Sequence, residues 1–353
     1  MPRFNLFLFT LQKKPDFTSM RHCFISFTLL IIFNSCGNNN PDELPVTNPK
    51  DDTQINKTST PIFVGDSAYR YVLDQLQFGP RVPNSAAHDS CAEYLVKKLE
   101  SFGADVLVQK GEVTAYTNAV LNIQNIIGQF YKERPKRIML CAHWDTRHIA
   151  DRDEENPTGP IDGANDGASG VGVLLEIARH LSQIDPDLGI DLIFFDAEDY
   201  GSPQLSMGMT ALSDMDNSWC LGSQFWAKNP PITGYKPQFG ILLDMVGGEF
   251  ATFPKEGFSL KYANPLVQAI WNKAQDLGYG NYFINRAIGG ITDDHKYINE
   301  IAGIPTVDII HYNPNKSDFG VFHHTHQDNI TIINKNTMVA VGSTCMEIIY
   351  QGL

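Results

Sequence analysis

The stretch IDLIFFDAED, Ile190–Asp199, decides how this chain is read. An almost wholly apolar run ends in three acids within four residues, Asp196, Glu198 and Asp199. A strand that is apolar on both faces is covered on both faces, as in a mainly parallel sheet between layers of helices. The carboxyl ends of such strands are where open α/β sheets bind their ligands. Carboxylates crowded at that position cost free energy unless something positive sits among them. The stretch is therefore either a solvated turn or part of a cation site.

The flanking sequence supports a layered α/β architecture. DSAYRYVLDQLQFG (Asp66–Gly79) and SAAHDSCAEYLVKKLESFG (Ser85–Gly103) carry apolar residues at helical spacing, and each closes on glycine. ADVLVQKGEV (Ala104–Val113), VLNIQNIIGQF (Val120–Phe130) and RIMLCAHWD (Arg137–Asp145) read as strands, and ASGVGVLLEIARHLSQI (Ala168–Ile184) as a helix. After Asp199 follow the strand FGILLDMVG, the helices NPLVQAIWNKAQDLG and DDHKYINEIAG, the strand IPTVDIIHY and a closing helix from Ile333. This pattern predicts a three-layer α/β/α domain with a mixed, mainly parallel central sheet over residues 66–353.

Other strand ends carry the same kind of residue. MLCAHWDTR places His143 and Asp145 after one strand, and GANDGASG places Asp166 in a glycine-rich turn before a helix. LLDMVGG ends a strand with Asp244, and VFHHTHQDN supplies His323, His324 and His326 after the last strand. Each alone is ordinary, since an Asp before a helix is usually a cap. Together they form a carboxylate and imidazole set of the kind that binds Zn²⁺.

In this order the residues resemble the zinc-dependent M28 peptidases, and within them the bacterial glutaminyl-peptide cyclotransferases. The resemblance runs from FGPRVPNS (Phe78–Ser85) to HHTHQDN (His323–Asn329). It implies Asp166, Asp199 and His324 as zinc ligands and Glu198 as the proton shuttle. It also implies Asp244 and Asp293 as acids of the catalytic pocket, Trp219 and His323 as pocket walls, and His143 with Asp145 behind the metal or serving a second one. The chain departs from the animal cyclases in Asp199, where they have Glu, in His323 before the zinc-binding His, where they have Trp, and in Asp308, where they have His. The segment from Tyr200 to Ala227 differs from theirs in length.

The reaction implied is conversion of N-terminal Gln to pyroglutamate with loss of ammonia. One Zn²⁺ suffices, because the nucleophile is the substrate's own α-amine. Two readings stand beside it: a two-zinc M28 aminopeptidase using His143, Asp166, Asp199, Asp244 and His324, and an inactive surface peptide-binding protein. The acid pair in TDDH (Thr292–His295) and WCLGSQFWA, which would bring Trp219, Phe225 and Trp226 near the pocket, favour the cyclase.

The net charge of −13 argues against a nucleic-acid partner. Residues 1–36 contain MRHCFISFTLLIIFNSCG from Met20, a charged start and a short apolar run ending before Cys36. This resembles a bacterial lipoprotein signal with Met20 as the true start and Cys36 as the lipidated residue. Residues 37–65 are rich in Asn, Asp, Pro and Thr and read as a flexible tether. The expectation is a monomer held by a lipid at the bacterial cell envelope, periplasmic or outer-membrane facing, with the membrane touched only through that anchor. Cys91, Cys141, Cys220 and Cys345 show no metal-thiolate spacing and read as buried free thiols.

Overall fold

The structure, a computed structural model, describes residues 59–203 and 217–353. The signal region, Cys36 and most of the tether lie outside the described residues. Among those described, no helix is long and apolar enough to cross a membrane.

Among the described residues, eight strands and seven α-helices follow one another along the chain. The strands are β1 (Asp105–Thr114), β2 (Val120–Phe130), β3 (Arg137–His143), β4 (Gly189–Phe195), β5 (Gly240–Asp244), β6 (Phe253–Lys255), β7 (Phe283–Ala287) and β8 (Thr306–Ile310). The helices are α1 (Gly65–Leu76), α2 (Ala86–Ser101), α3 (Ala168–Leu181), α4 (Leu221–Lys228), α5 (Gly257–Asp276), α6 (Asp294–Tyr297) and α7 (Lys335–Gln351). Six strands form the main sheet in the order β1-β2-β4-β3-β5-β8, and β6 pairs with β7 apart from it. β4, β3, β5 and β8 run parallel, while β2 is antiparallel to both of its neighbours.

The period-2 geometry of a strand divides each apolar run between two cores. Leu140 and Ala142 of β3 join Leu192 and Phe194 of β4 in the cluster that packs α1, α3 and α7. Met139, Cys141, Ile193 and Phe195 point the other way and meet Trp226, Ile298 and Ile304. Every residue of β3, β4, β5 and β8 is buried. That is the physical content of the apolar run in IDLIFF.

Several boundaries differ from the sequence reading. Packing begins upstream of Asp66: Phe63 is buried over Gly342, where an added Cβ would meet its ring at 2.3 Å, and Thr60 Oγ1 donates to Glu347 at 2.6 Å. The helix expected from Asn264 starts at Gly257, because Glu256 caps it through Phe258 N and Ser259 N; it kinks at Ala263, just before Pro265. DDHKYINEIAG forms the four-residue α6 and then a π-helical turn, Ile298–Ala302. The closing helix starts at Lys335 behind its Asn334 cap.

Candidate active site

Register brings the site together. His143 at the end of β3 pairs with Phe195 at the end of β4, and Asp244 at the end of β5 pairs with Ile310 of β8. Glu198 and Asp199 follow β4 directly, so all four side chains gather at one edge of the sheet.

The three acids of the opening stretch have different fates. Asp196 is structural: it is fully buried, lies 2.8 Å from His88 Nε2, and accepts hydrogen bonds from Gln124 N and Ala197 N. Ala197 then takes a left-handed φ of 50°, which turns Glu198 and Asp199 away from the core path. Their backbone N–H groups donate to the two oxygens of Asp145 at 3.0 and 3.2 Å. The H-x-D motif thus pins the acid pair through Asp145, whose Oδ1 also lies 3.5 Å from His143 Nδ1.

Asp166, Asp199 and His324 lie near one another, and His323 joins Asp166 and His324 in one cluster of possible ligand atoms. His324 Nε2 lies 3.3 Å from Asp199 Oδ1 and 3.9 Å from Asp166 Oδ2. The loop that carries Asp166 is held from the far end of the chain, since Asp328 accepts from Asn165 N and Asp166 N at 2.7 and 3.1 Å. Gly167, beside Asp166, has φ 99° and passes so close to His143 that a Cβ would sit 2.6 Å from its carbonyl oxygen. Both oxygens of Asp199 are buried without a hydrogen-bond partner. Its Oδ1 lies 3.5 Å from Arg147 Nη1, an ion pair without a hydrogen bond, and a metal cation among Asp199, Asp166 and His324 would complete the charge of such a buried carboxylate. Two carboxylates and an imidazole are hard and borderline donors that suit Zn²⁺. The residues present therefore fit the metal.

A second group adjoins the first. His143 Nε2 lies 3.0 Å from Asp166 Oδ1 and 3.2 Å from Asp244 Oδ1, so Asp166 faces both sets. Asp166 and Asp244 line one side of a pocket of about 560 Å³ whose wall also includes Glu198, Asp293, Trp219 and His323, while His143 lies buried behind them. Burial, reinforced by Asp293, Asp199 and Asp294, holds Glu198 well above the ordinary carboxylate range. Burial raises Asp244 to about 7 and pushes Asp293 up as well. A carboxyl poised in this way can carry a proton in either direction.

Trp219 and His323 both line the pocket. Trp219 stacks on His324 at 5.7 Å with its ring 10° from parallel, and the Arg147 guanidinium lies 4.6 Å from the Trp219 ring. His323 stacks on His324 at 3.7 Å, and its Nδ1 accepts from Arg152 Nη1 at 2.7 Å. Asp308 is fully buried with Oδ2 3.7 Å from His295 Nδ1, so the imidazole at this place comes from α6 rather than from β8.

Three expectations are corrected. His326 stays outside the pocket, where it is exposed and pairs with Asp153 at 3.0 Å. Phe225 packs over Gly111. Trp226 is 2% exposed and packs edge-on to Phe195, because α4 turns that face into the core.

Sequence reasoning also missed the support around the ligands. Asp151 Oδ1 lies 3.4 Å from His324 Nδ1 and accepts from Arg147 Nε. Fully buried Arg147 donates from Nη1 to the carbonyls of Asp199 and Gly201 at 2.9 and 3.3 Å. The visible signal was the i, i+4 spacing of Arg147 and Asp151 immediately after His143-Trp-Asp145. Cys220, a buried free thiol, donates from Sγ to Glu198 Oε1 at 3.1 Å. All four described cysteines are buried and free.

A mixed α/β sheet with carboxylates and imidazoles at its strand ends defines a metal-dependent enzyme of the zinc exopeptidase fold. The chain belongs to peptidase family M28, which residues 125–349 match. A Bacteroides thetaiotaomicron glutaminyl cyclase bound to N-acetylhistamine is 52% identical, with a TM-score of 0.79 over 82% of this chain and 99% of that one. A structure described as a leucine aminopeptidase precursor from the same species is also 52% identical, with a TM-score of 0.78 over 82% of this chain and 98% of its own. Bovine glutaminyl-peptide cyclotransferase is 23% identical over 290 residues, covering 73% of this chain and 74% of the bovine one.

Proposed function

We propose that the protein is a glutaminyl-peptide cyclotransferase that converts N-terminal Gln of peptides and proteins to pyroglutamate and releases ammonia. The observation that carries the reading is the acid cradle beside the metal-ligand set. Glu198, Asp244 and Asp293 line one pocket with Asp166, Asp199 and His324. The likeness to the bacterial glutaminyl cyclase supports the same reading.

The three acids suit a substrate that enters with a positively charged α-ammonium. Asp244 and Asp293 hold that group and orient it toward the side-chain amide of the same residue. Glu198 takes one proton from it, freeing the amine to attack, and returns that proton to the amide nitrogen as ammonia leaves; the second proton that the α-nitrogen loses on ring closure passes to solvent. Because the nucleophile is already attached, positioning replaces the activation of water, and intramolecularity contributes a large effective molarity. Asp166, Asp199 and His324 would hold one zinc ion, which when bound supplies a Lewis acid for the amide carbonyl. Trp219, fixed between Arg147 and His324, forms an aromatic wall for the glutamine side chain.

A second reading, an M28 aminopeptidase, is favoured by the His143–Asp166–Asp244 group, which could hold another metal ion. A side-by-side assay with the zinc-loaded protein separates them. Cyclisation of a Gln-peptide with negligible Leu-amide hydrolysis is the expected result. Robust Leu-amide hydrolysis without pyroglutamate would overturn the cyclase.

The cellular setting belongs to the same proposal. Cys36 carries a lipid that tethers a monomeric catalytic body at the outward side of a bacterial membrane, where exported chains expose new N-termini.

A further inference from the structure

We infer that Glu198, Cys220 and Asp293 form an inhibitory binding site, separate from the zinc-ligand set but sharing two acids with the catalytic pocket, for a soft divalent cation such as Cd²⁺ or excess Zn²⁺. One ligand atom from each of the three lies within 4.8 Å of the others, and all three residues are buried. Neither Cys220 nor Asp293 belongs to the Asp166–Asp199–His324 set.

One feature points to a cation here. Asp293 is 3% exposed, and its Oδ2 accepts no hydrogen bond, although Oδ1 caps α6 through Asp294 N. A buried carboxylate oxygen left in that state is a site in search of a positive partner. Cys220 supplies the sulfur, its Sγ donating to Glu198 Oε1 at 3.1 Å. Its own N–H donates to the Glu198 carbonyl at 2.9 Å, so thiol and carboxylate are held face to face by the backbone.

The geometry suits a metal. Zn–S and Zn–O bonds of about 2.3 and about 2.0–2.2 Å in a tetrahedral site place S and O about 3.5 Å apart. The present contact therefore needs to open by only a few tenths of an ångström. On binding, the Cys220 S–H proton is released to solvent and the thiolate and both carboxylates become ligands. The pocket gives the ion a route, since Glu198 and Asp293 line it. The cradle proposed for the α-ammonium would then be occupied by a dication, which adds a sulfur contact that an ammonium cannot use. The inhibitory consequence rests on the cyclase reading, whereas binding of the metal does not.

The test uses the full chain carrying one equivalent of zinc, titrated with Cd²⁺. Wild type should bind one further Cd²⁺ and develop thiolate-to-cadmium charge-transfer absorption, and KM for a Gln-peptide should rise at unchanged kcat. Cys220→Ser should lose the absorption band and bind that Cd²⁺ at least tenfold more weakly, with Cys220→Ala as a second variant. His143→Ala should keep the band, since its position belongs to the other group. Absence of the band in wild type, its persistence in Cys220→Ser, or its loss in His143→Ala but not Cys220→Ser would each overturn the site. A band accompanied by a fall in kcat alone would overturn competition with the amine. Because the band is read without substrate, failure of this site and failure of the cyclase reading are separate results.

Discussion

Asp151 sets the orientation of His324: its Oδ1 lies 3.4 Å from His324 Nδ1 and leaves Nε2 facing Asp199. Arg147 in turn fixes Asp151 by donating from Nε. A carboxylate behind a ligating imidazole selects the tautomer and raises the basicity of the free nitrogen. Asp151→Asn should therefore weaken zinc binding by about 10–100-fold. Competition with a chromophoric chelator measures it, and an affinity equal to wild type would refute the role.

Glu198 and Asp199 are neighbours with different duties, and two variants separate them. Glu198→Gln should retain zinc and lose about 10²–10⁴-fold in cyclisation rate, the usual contribution of a positioned acid–base. Asp199→Ala should lose the metal itself. Metal analysis beside the rate assay decides: zinc lost from Glu198→Gln would make Glu198 a ligand instead of a shuttle.

Gly201 leaves room for Trp219. A Cβ at residue 201 would come within 1.9 Å of the Trp219 ring. Gly201→Ala should displace the indole from between Arg147 and His324, raising KM for Gln-peptides several-fold and shifting the tryptophan fluorescence. Unchanged KM and fluorescence would show that the ring does not form the pocket wall.

His311 should give the fold an acid-sensitive step. Burial holds it at about 4, below its ordinary 6.5. Between these values the unfolded chain binds a proton that the folded chain refuses, so stability falls as pH drops through the window and is fully present above 6.5. The contribution is at most about 1.4 kcal/mol per pH unit. His311→Leu should flatten the pH dependence of urea-unfolding stability between pH 7 and 4.5 relative to wild type. Parallel curves would contradict it.

Cys36 is testable without any structure. Metabolic labelling with a lipid precursor should tag wild type and fail for Cys36→Ala; labelling of both, or of neither, would remove the proposed anchor.

The α/β class and the gathering of acids and imidazoles at strand ends were legible because both depend on local pattern. Apolar runs bounded by helices imply a covered sheet, and acids at strand ends follow from chain order alone. Asp166, Asp199, His324 and Glu198 could be placed there in that way, whereas their separate roles as ligands and proton shuttle are what the resemblance to the M28 family implies. The same stretch could not show that Asp196 belongs to His88 while Glu198 belongs to the pocket. That division depends on a left-handed Ala197 and on a partner 108 residues away in the chain. Phe225 and Trp226 were misplaced for a related reason: Trp219 shares their segment, and only the packing of α4 decides which aromatic meets the pocket.

By itself, then, the sequence determined the layered sheet, the end of the sheet that carries chemistry, and the residue types gathered there, because strand period and connection order are encoded within short windows. Tertiary structure alone decided what each side chain faces. The Arg147–Asp151 brace under His324, the Cys220 thiol on Glu198 and the imidazole of His295 opposite Asp308 all join segments distant in the chain. Contacts of that kind are set by register, backbone strain and the burial of polar atoms that must find partners, none of which is written in any one stretch.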